Sequence, residues 1–132
     1  MKRRHILWAL PATLAALAFQ LFMVYGCYHG NWTGLYCFGS TFPVPEALGG
    51  LNIRTLPDTP GYDGQFYYYM AQDPFLLKEG FTDSFDHKRF RYRRILMSLA
   101  AYVLAAGRPG AMAISFAMVN ILAIFFGAYW LS

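Results

Sequence analysis

Polarity along this chain comes in blocks. Residues 6–28 carry no charged side chain, residues 29–85 mix Gly, Pro, Asn, Asp and Thr with aromatic residues, and further apolar runs follow at 95–106 and 111–131. A helix of about 20 apolar residues crosses roughly 30 Å of hydrocarbon at 1.5 Å per residue. The pattern therefore predicts a spanning helix over 6–28 and another over 111–131. The run at 95–106 is too short to span alone, so the second predicted helix is extended back to residue 86. It covers 86–107, its basic first turns lie at headgroup level, and their charged heads snorkel outward. Gly107-Arg108-Pro109-Gly110 is a turn signal, with Gly suited to ending one helix and Pro to entering the next. The expected fold is an all-α membrane protein, with three transmembrane helices and a large extracytoplasmic loop containing short helices.

The central segment, 29–85, is too aromatic for a disordered linker and is expected to pack on itself and on the membrane face. Trp32, Tyr36, Phe38 and Phe42 suit an interfacial aromatic belt. A short helix is predicted over 65–72, with Asp63 able to cap its start and Asp73-Pro74 disfavouring helix beyond it. On the last helix, Ala113 and Ala117, and Ala123 and Gly127, are spaced for close helix approach, and Asn120 wants a hydrogen-bond partner. Three helices offer few such partners, so the chain reads as the N-terminal part of a larger bundle or a component working with other subunits.

Composition supports the membrane reading. Residues are 57% hydrophobic and only 14% charged, against about a quarter charged in ordinary soluble domains. The formal charge of +4 does not point to nucleic acid, because the charges are segregated. Lys2, Arg3 and Arg4 precede the first apolar run, whereas all seven carboxylates lie between Glu46 and Asp86. The positive-inside bias puts the N-terminus in the cytoplasm, the 29–85 segment outside, the Gly107 turn inside and the C-terminus outside. A cleaved signal peptide ending at Ala16-Leu17-Ala18 is the competing reading, but the apolar stretch continues through Tyr25. Cys27 and Cys37 fall at the outer end of the first helix, and a disulfide between them stays open. Asn31-Trp32-Thr33 matches a glycosylation acceptor, a short pattern to which no function is assigned here. His5, His29 and His87 are scattered, so neither a metal site nor a cofactor is implied.

Two blocks carry a resemblance. The stretch Gly61-Tyr62-Asp63-Gly64-Gln65-Phe66-Tyr67-Tyr68-Tyr69-Met70-Ala71-Gln72-Asp73-Pro74-Phe75, followed by Arg91-Tyr92-Arg93-Arg94-Ile95-Leu96, resembles bacterial multi-pass membrane proteins related to the GT-C glycosyltransferases of cell-surface glycopolymer formation. The Asp63-Gly64 pair is similar to the first-loop motif of the GPI mannosyltransferases. The resemblance implies a bacterial cytoplasmic-membrane location, an essential carboxylate in the first extracytoplasmic loop, a polyprenyl-phosphate sugar donor and a glycan acceptor. Members of that superfamily have many more than three spanning helices.

The chemistry can be stated from the residues. Sugar transfer from a polyprenyl phosphate needs a base for the acceptor hydroxyl and cations for the departing phosphate. One carboxylate suffices because phosphate leaves as a stable anion, unlike the leaving group of a glycosidase. Asp63 is the expected base, with helix capping as its alternative role. Gln65 and Tyr68 are expected sugar contacts. Arg89, Arg91, Arg93 and Arg94 are expected to hold phosphate through paired guanidinium donors, with general attraction to anionic headgroups as the alternative. Asp73 and Asp86 read as helix-end residues, and Asp83-Ser84-Phe85-Asp86 is not the D-x-D of a metal-dependent nucleotide-sugar enzyme. Three readings stay open: the N-terminal membrane segment of a glycosyltransferase, a non-catalytic membrane scaffold, and a lipid-headgroup-binding protein.

Overall fold

A computed structural model describes residues 2–132, and the side chains of residues 6–81 and 83–132. The side chains of Lys2, Arg3, Arg4 and His5, which entered the charge and histidine arguments, lie outside the described residues. The chain is mainly helical: α1 (Lys2–Phe22), α2 (Asp63–Gln72), α3 (Lys88–Tyr92), α4 (Leu96–Leu104) and α5 (Met112–Leu131). α1 runs into a π-helical turn, Met23–Cys27.

Two helices are long and apolar enough to cross a membrane, Ile6–Cys27 and Pro109–Leu131. They match the first and last predicted spans closely. α1 packs along α5. After α1 the chain turns at Gly30, whose N–H donates to Val24 O at 2.8 Å. It then enters a 3-10 turn, Trp32–Tyr36, where the Tyr36 hydroxyl donates to the Ala113 carbonyl in the first turn of α5. A cleft brings His29 and Asn31 beside Pro109 and Gly110. The C-terminal end of α1 and the N-terminal end of α5 therefore lie together, and the two long helices are antiparallel.

This arrangement corrects the second predicted helix. Residues 86–107 do not form one helix: α3 and α4 are separated by a turn at Arg93–Ile95, where Arg94 N bonds Arg91 O at 3.0 Å before the α-helical pattern resumes with Leu99 N to Ile95 O. The two pieces answer to different partners. Arg91 and the Tyr92 hydroxyl are anchored near opposite ends of α2, at Asp63 and at the Asp73 carbonyl. Ser98 instead donates to the Tyr67 carbonyl at 2.9 Å, and α4 folds back against α5. With nine residues, about 14 Å, α4 is too short to span. The Gly107 turn thus sits at the same end of the α1–α5 pair as the central segment, not at the opposite end.

The central segment packs around an aromatic core. Tyr36, Phe38, Phe66, Tyr68, Tyr69, Phe81 and Phe85 are all buried, with edge-on pairs such as Phe38–Tyr68 at 5.2 Å and Tyr36–Phe116 at 5.5 Å. Tyr36 and Phe38 are core residues rather than members of an interfacial belt. Trp32 remains peripheral, edge-on to Tyr25 at 6.5 Å. The all-α expectation also omitted a small parallel pair of strands, β1 (Phe38–Gly39) and β2 (Thr55–Leu56). There the chain at Gly39 passes so near Gly61 that a Cβ would collide with the Gly61 amide, which only glycine avoids. Cys27 and Cys37 are unbridged.

Candidate functional site

One charged residue from each sequence block meets where α2 begins and α3 runs past it, Asp63 and Arg91. Asp63 is the first residue of α2, while Tyr62 occupies the capping position with extended backbone and no side-chain cap bond. Asp63 therefore does not cap the helix as the alternative role required. Its Oδ2 lies 2.8 Å from Arg91 Nη1, and its side chain is 65% exposed. Among the described residues Asp63 makes no other ion pair or side-chain hydrogen bond.

Arg91 is buried and held from two sides. Its Nε donates to Asp86 Oδ1 at 3.0 Å and its Nη2 to Asp86 Oδ2 at 2.6 Å, a paired fork. Its third contact, Nη1 to Asp63, is close but not aligned as a hydrogen bond. The guanidinium lies over Phe66, 4.5 Å from the ring centre. The Arg91 hydrogen bond holds the Asp86 carboxyl below its ordinary value, and the carboxylates, Asp86 first, push the Arg91 value upward. Asp86 also accepts the His87 N–H at 2.6 Å, but it binds Arg91 rather than serving mainly as a helix cap. Asp73 does end α2, accepting the Leu77 and Lys78 amides at 2.9 and 3.0 Å.

The four arginines are thus divided. Arg91 is committed to carboxylates, its Nε and Nη2 bonded to Asp86 and its Nη1 in ion-pair contact with Asp63. Arg89, Arg93 and Arg94 are exposed, and among the described residues none has an ion-pair partner. Arg94 lies over Phe90, 5.0 Å from its ring centre, and lines a cleft of about 270 Å³ with Tyr67, Met97, Phe116 and Asn120. Tyr67 follows Asp63 by one turn of α2 and Arg94 follows Arg91 by three residues, but the cleft itself is lined by Tyr67 and Arg94 and not by Asp63 or Arg91. A second, almost wholly apolar groove of about 580 Å³ runs between α4 and α5, lined by Leu96, Leu99, Val103, Val119 and Leu122 among others. The two hollows share the same stretch of helices, through neighbouring residues Leu96 and Met97 and neighbouring Val119 and Asn120.

Gln65 and Tyr68, the expected sugar contacts, lie elsewhere. Gln65 is fully buried: its Oε1 accepts the Gly39 N–H at 3.0 Å and its Nε2 donates to Pro60 O at 2.6 Å, tying β1 to the loop before α2. Tyr68 is buried against Tyr36 and Phe38, and burial pushes its phenol upward. It borders a different cleft of about 340 Å³ shared with His29, Trp32, Pro109 and Ile114, which no carboxylate, arginine or lysine lines. The phenol facing Arg94 is Tyr67. Asn120, singled out for lacking a partner, makes no hydrogen bond among the described residues and faces the Arg94 cleft. Among the described residues, no three His, Cys, Asp or Glu side chains converge on a point that could hold a metal.

By fold, this is a helical chain with two potential membrane spans and a compact aromatic subdomain carrying a carboxylate–arginine cluster. No protein-family model matches the chain, and no curated protein or solved structure matches it.

Proposed function

We propose that this chain forms the N-terminal membrane segment of a GT-C-like glycosyltransferase, moving a sugar from a polyprenyl-phosphate donor to a glycan acceptor outside the bacterial cytoplasmic membrane. The observation that supports it best is the set of environments this helical cluster carries: an exposed carboxylate at Asp63 paired with Arg91, a cleft lined by Tyr67 and Arg94, and an apolar groove between α4 and α5. In this reading Asp63 takes the proton of the acceptor hydroxyl as its oxygen bonds the anomeric carbon. The carbon–oxygen bond to phosphate breaks, and the polyprenyl phosphate departs as an anion. Arg94, with Arg93 and Arg89 nearby in the chain, stabilises that anion, and the prenyl tail occupies the groove. Arg91 positions Asp63 instead of binding phosphate. Tyr67 and Asn120 take the polar contacts first expected of Tyr68 and Gln65.

Binding of a polyprenyl phosphate to the protein in nanodiscs tests the donor site. Arg94→Ala should weaken it, and Arg94→Lys should restore charge but not full affinity, because Lys lacks the paired donors. Equal affinity in wild type and both variants would leave only general headgroup attraction, or a scaffold without a donor site.

The same reading has α1 and α5 crossing the bilayer as an antiparallel pair, with the N-terminus cytoplasmic and α2 to α4 on the outer side. Cysteines substituted at Asp58 and Arg108 should then be labelled from the same, extracytoplasmic side by a membrane-impermeant thiol reagent in a Cys27→Ser/Cys37→Ser background. Labelling of position 108 from the cytoplasm alone would restore a spanning helix over 86–107 and overturn the two-span arrangement.

A further inference from the structure

Beyond the α2 terminus the chain makes a tight excursion that serves neither the aromatic core nor the arginine cleft. Phe75, Leu76 and Leu77 are consecutive, and all three are exposed, Leu77 by 80%. Leu76 is held at φ +56°, a left-handed conformation that costs a non-glycine residue energy. The surroundings enforce it: the buried Asp73 carboxylate accepts the Leu77 and Lys78 amides, Leu76 N bonds Asp73 O at 3.3 Å, and Lys78 Nζ reaches back to Gln72 O at 3.2 Å. A strained, internally braced turn thus holds three large apolar side chains outward, where a soluble loop would carry polar ones.

The level of this turn identifies what covers it. Gln72 Nε2 donates to Pro109 O at 3.2 Å, at the start of the second long apolar helix, and Phe75 lies edge-on to Tyr102 of α4 at 5.7 Å. The same end of the helix pair carries Tyr25 and Trp32, the aromatic pair that suits a membrane–water boundary. Seventeen residues along each long helix, about 26 Å at 1.5 Å per residue, lie the strongly exposed Trp8 and, from Ala113, Trp130. That separation approaches the thickness of the hydrocarbon layer and places the 75–77 turn at its boundary.

We infer that Phe75, Leu76 and Leu77 form a membrane-dipping turn, which inserts into the outer-leaflet interface and fixes the tilt of α2 and its carboxylate over the lipid. Lys78 at its edge is suited to lie among headgroup phosphates. The inference rests on the long helices spanning the bilayer, but not on glycosyl transfer.

Nitroxide labels at Leu77→Cys, Leu14→Cys and Asp58→Cys, each in the Cys27→Ser/Cys37→Ser background in phosphatidylglycerol-containing vesicles, test it through collision with oxygen and with a water-soluble nickel chelate. Oxygen should dominate at position 77 as at position 14, and nickel at position 58. Nickel dominance at 77 while 14 remains lipidic overturns the dipping turn. Nickel dominance at 14 as well overturns the membrane span itself, and the turn's role with it. Leu77→Asp adds a second readout from within the turn: it should release the segment, raising nickel collisions of a label at Phe75→Cys by at least about tenfold, the equilibrium factor for losing one buried leucine. No change there also overturns the inference.

Discussion

Asp63→Asn is expected to leave the fold intact and to lower glycosyl transfer by about 100- to 10,000-fold, the usual loss when a general base is removed. The small structural cost follows from the site. Asp63 does not cap α2, its side chain is largely exposed, and Arg91 keeps its paired bonds to Asp86 when Asp63 loses its charge. An exposed ion pair contributes about 0–1 kcal/mol, and a carboxylate in the first turn of a helix about 0.3–1 kcal/mol. Folding and expression should therefore stay close to wild type while activity falls, so the two effects separate cleanly. Transfer from a polyprenyl-phosphate sugar in membranes, with the thermal midpoint of the same preparation, provides both readouts. Wild-type transfer by the Asn variant would make Asp63 structural and remove the case for catalysis within this segment.

Sequence and structure agree where a single run of residues decides the outcome. The long apolar helices at 6–28 and 111–131 are visible because length and uninterrupted apolarity suffice to recognise them, and the structure has helices long and apolar enough to cross a membrane at Ile6–Cys27 and Pro109–Leu131. The segment 86–107 reads as one helix because nothing local interrupts it. Its break at Arg93–Ile95 is imposed by partners distant in sequence: Asp63 and the Asp73 carbonyl on one side, Tyr67 and α5 on the other. Once that helix is broken the end-to-end topology reverses for everything after it.

The site shows the same division. The sequence named Asp63 through its resemblance and the arginines through their type and clustering. It did not show that Arg91 would be the one buried against Asp63 and Asp86, since burial of a guanidinium depends on where its carboxylates fall in space. Three consecutive tyrosines conceal their own facing. Successive residues point about 100° apart around a helix, so exchanging Tyr67 for Tyr68 moves the phenol from the Arg94 cleft into the core. A signal for Gln65 was present: it follows Gly61 and Gly64, and a polar side chain beside glycines that admit close backbone approach is suited to bonding that backbone.

Arg91→Ala should have the largest effect on stability of any change in the cluster. It removes the fork to Asp86, leaves that partly buried carboxylate with only the His87 amide as partner, and strips a cation from the face of Phe66. Breaking a fully buried pair costs about 3–5 kcal/mol, and hydrogen bonds to charged groups contribute about 1.5–3 kcal/mol. With both carboxylates partly in solvent, roughly 2 kcal/mol is expected, a fall of roughly 5–10 °C in the thermal midpoint. Arg91→Lys should fall between wild type and Ala, because an ammonium cannot hold both Asp86 oxygens and reach Asp63. Arg94→Ala, at an exposed position, should stay within about 0.5 kcal/mol. The pH dependence has a definite sign. Asp86 has a lowered folded value, so its contribution is complete above its ordinary value of 3.8 and is lost as pH falls through the lowered one. Arg91 has a raised value, so its contribution is complete below the ordinary arginine value and is lost only at still higher pH. The gap between wild type and Arg91→Ala should therefore be constant through neutral pH and begin to narrow below about pH 3.8 as Asp86 protonates, the part owed to Phe66 remaining. Thermal unfolding in detergent, followed by circular dichroism from neutral pH to pH 3, measures it. A midpoint for Arg91→Ala equal to that of wild type at neutral pH would mean that the buried arginine does not hold α3 against α2, and that Asp63 is positioned by something else.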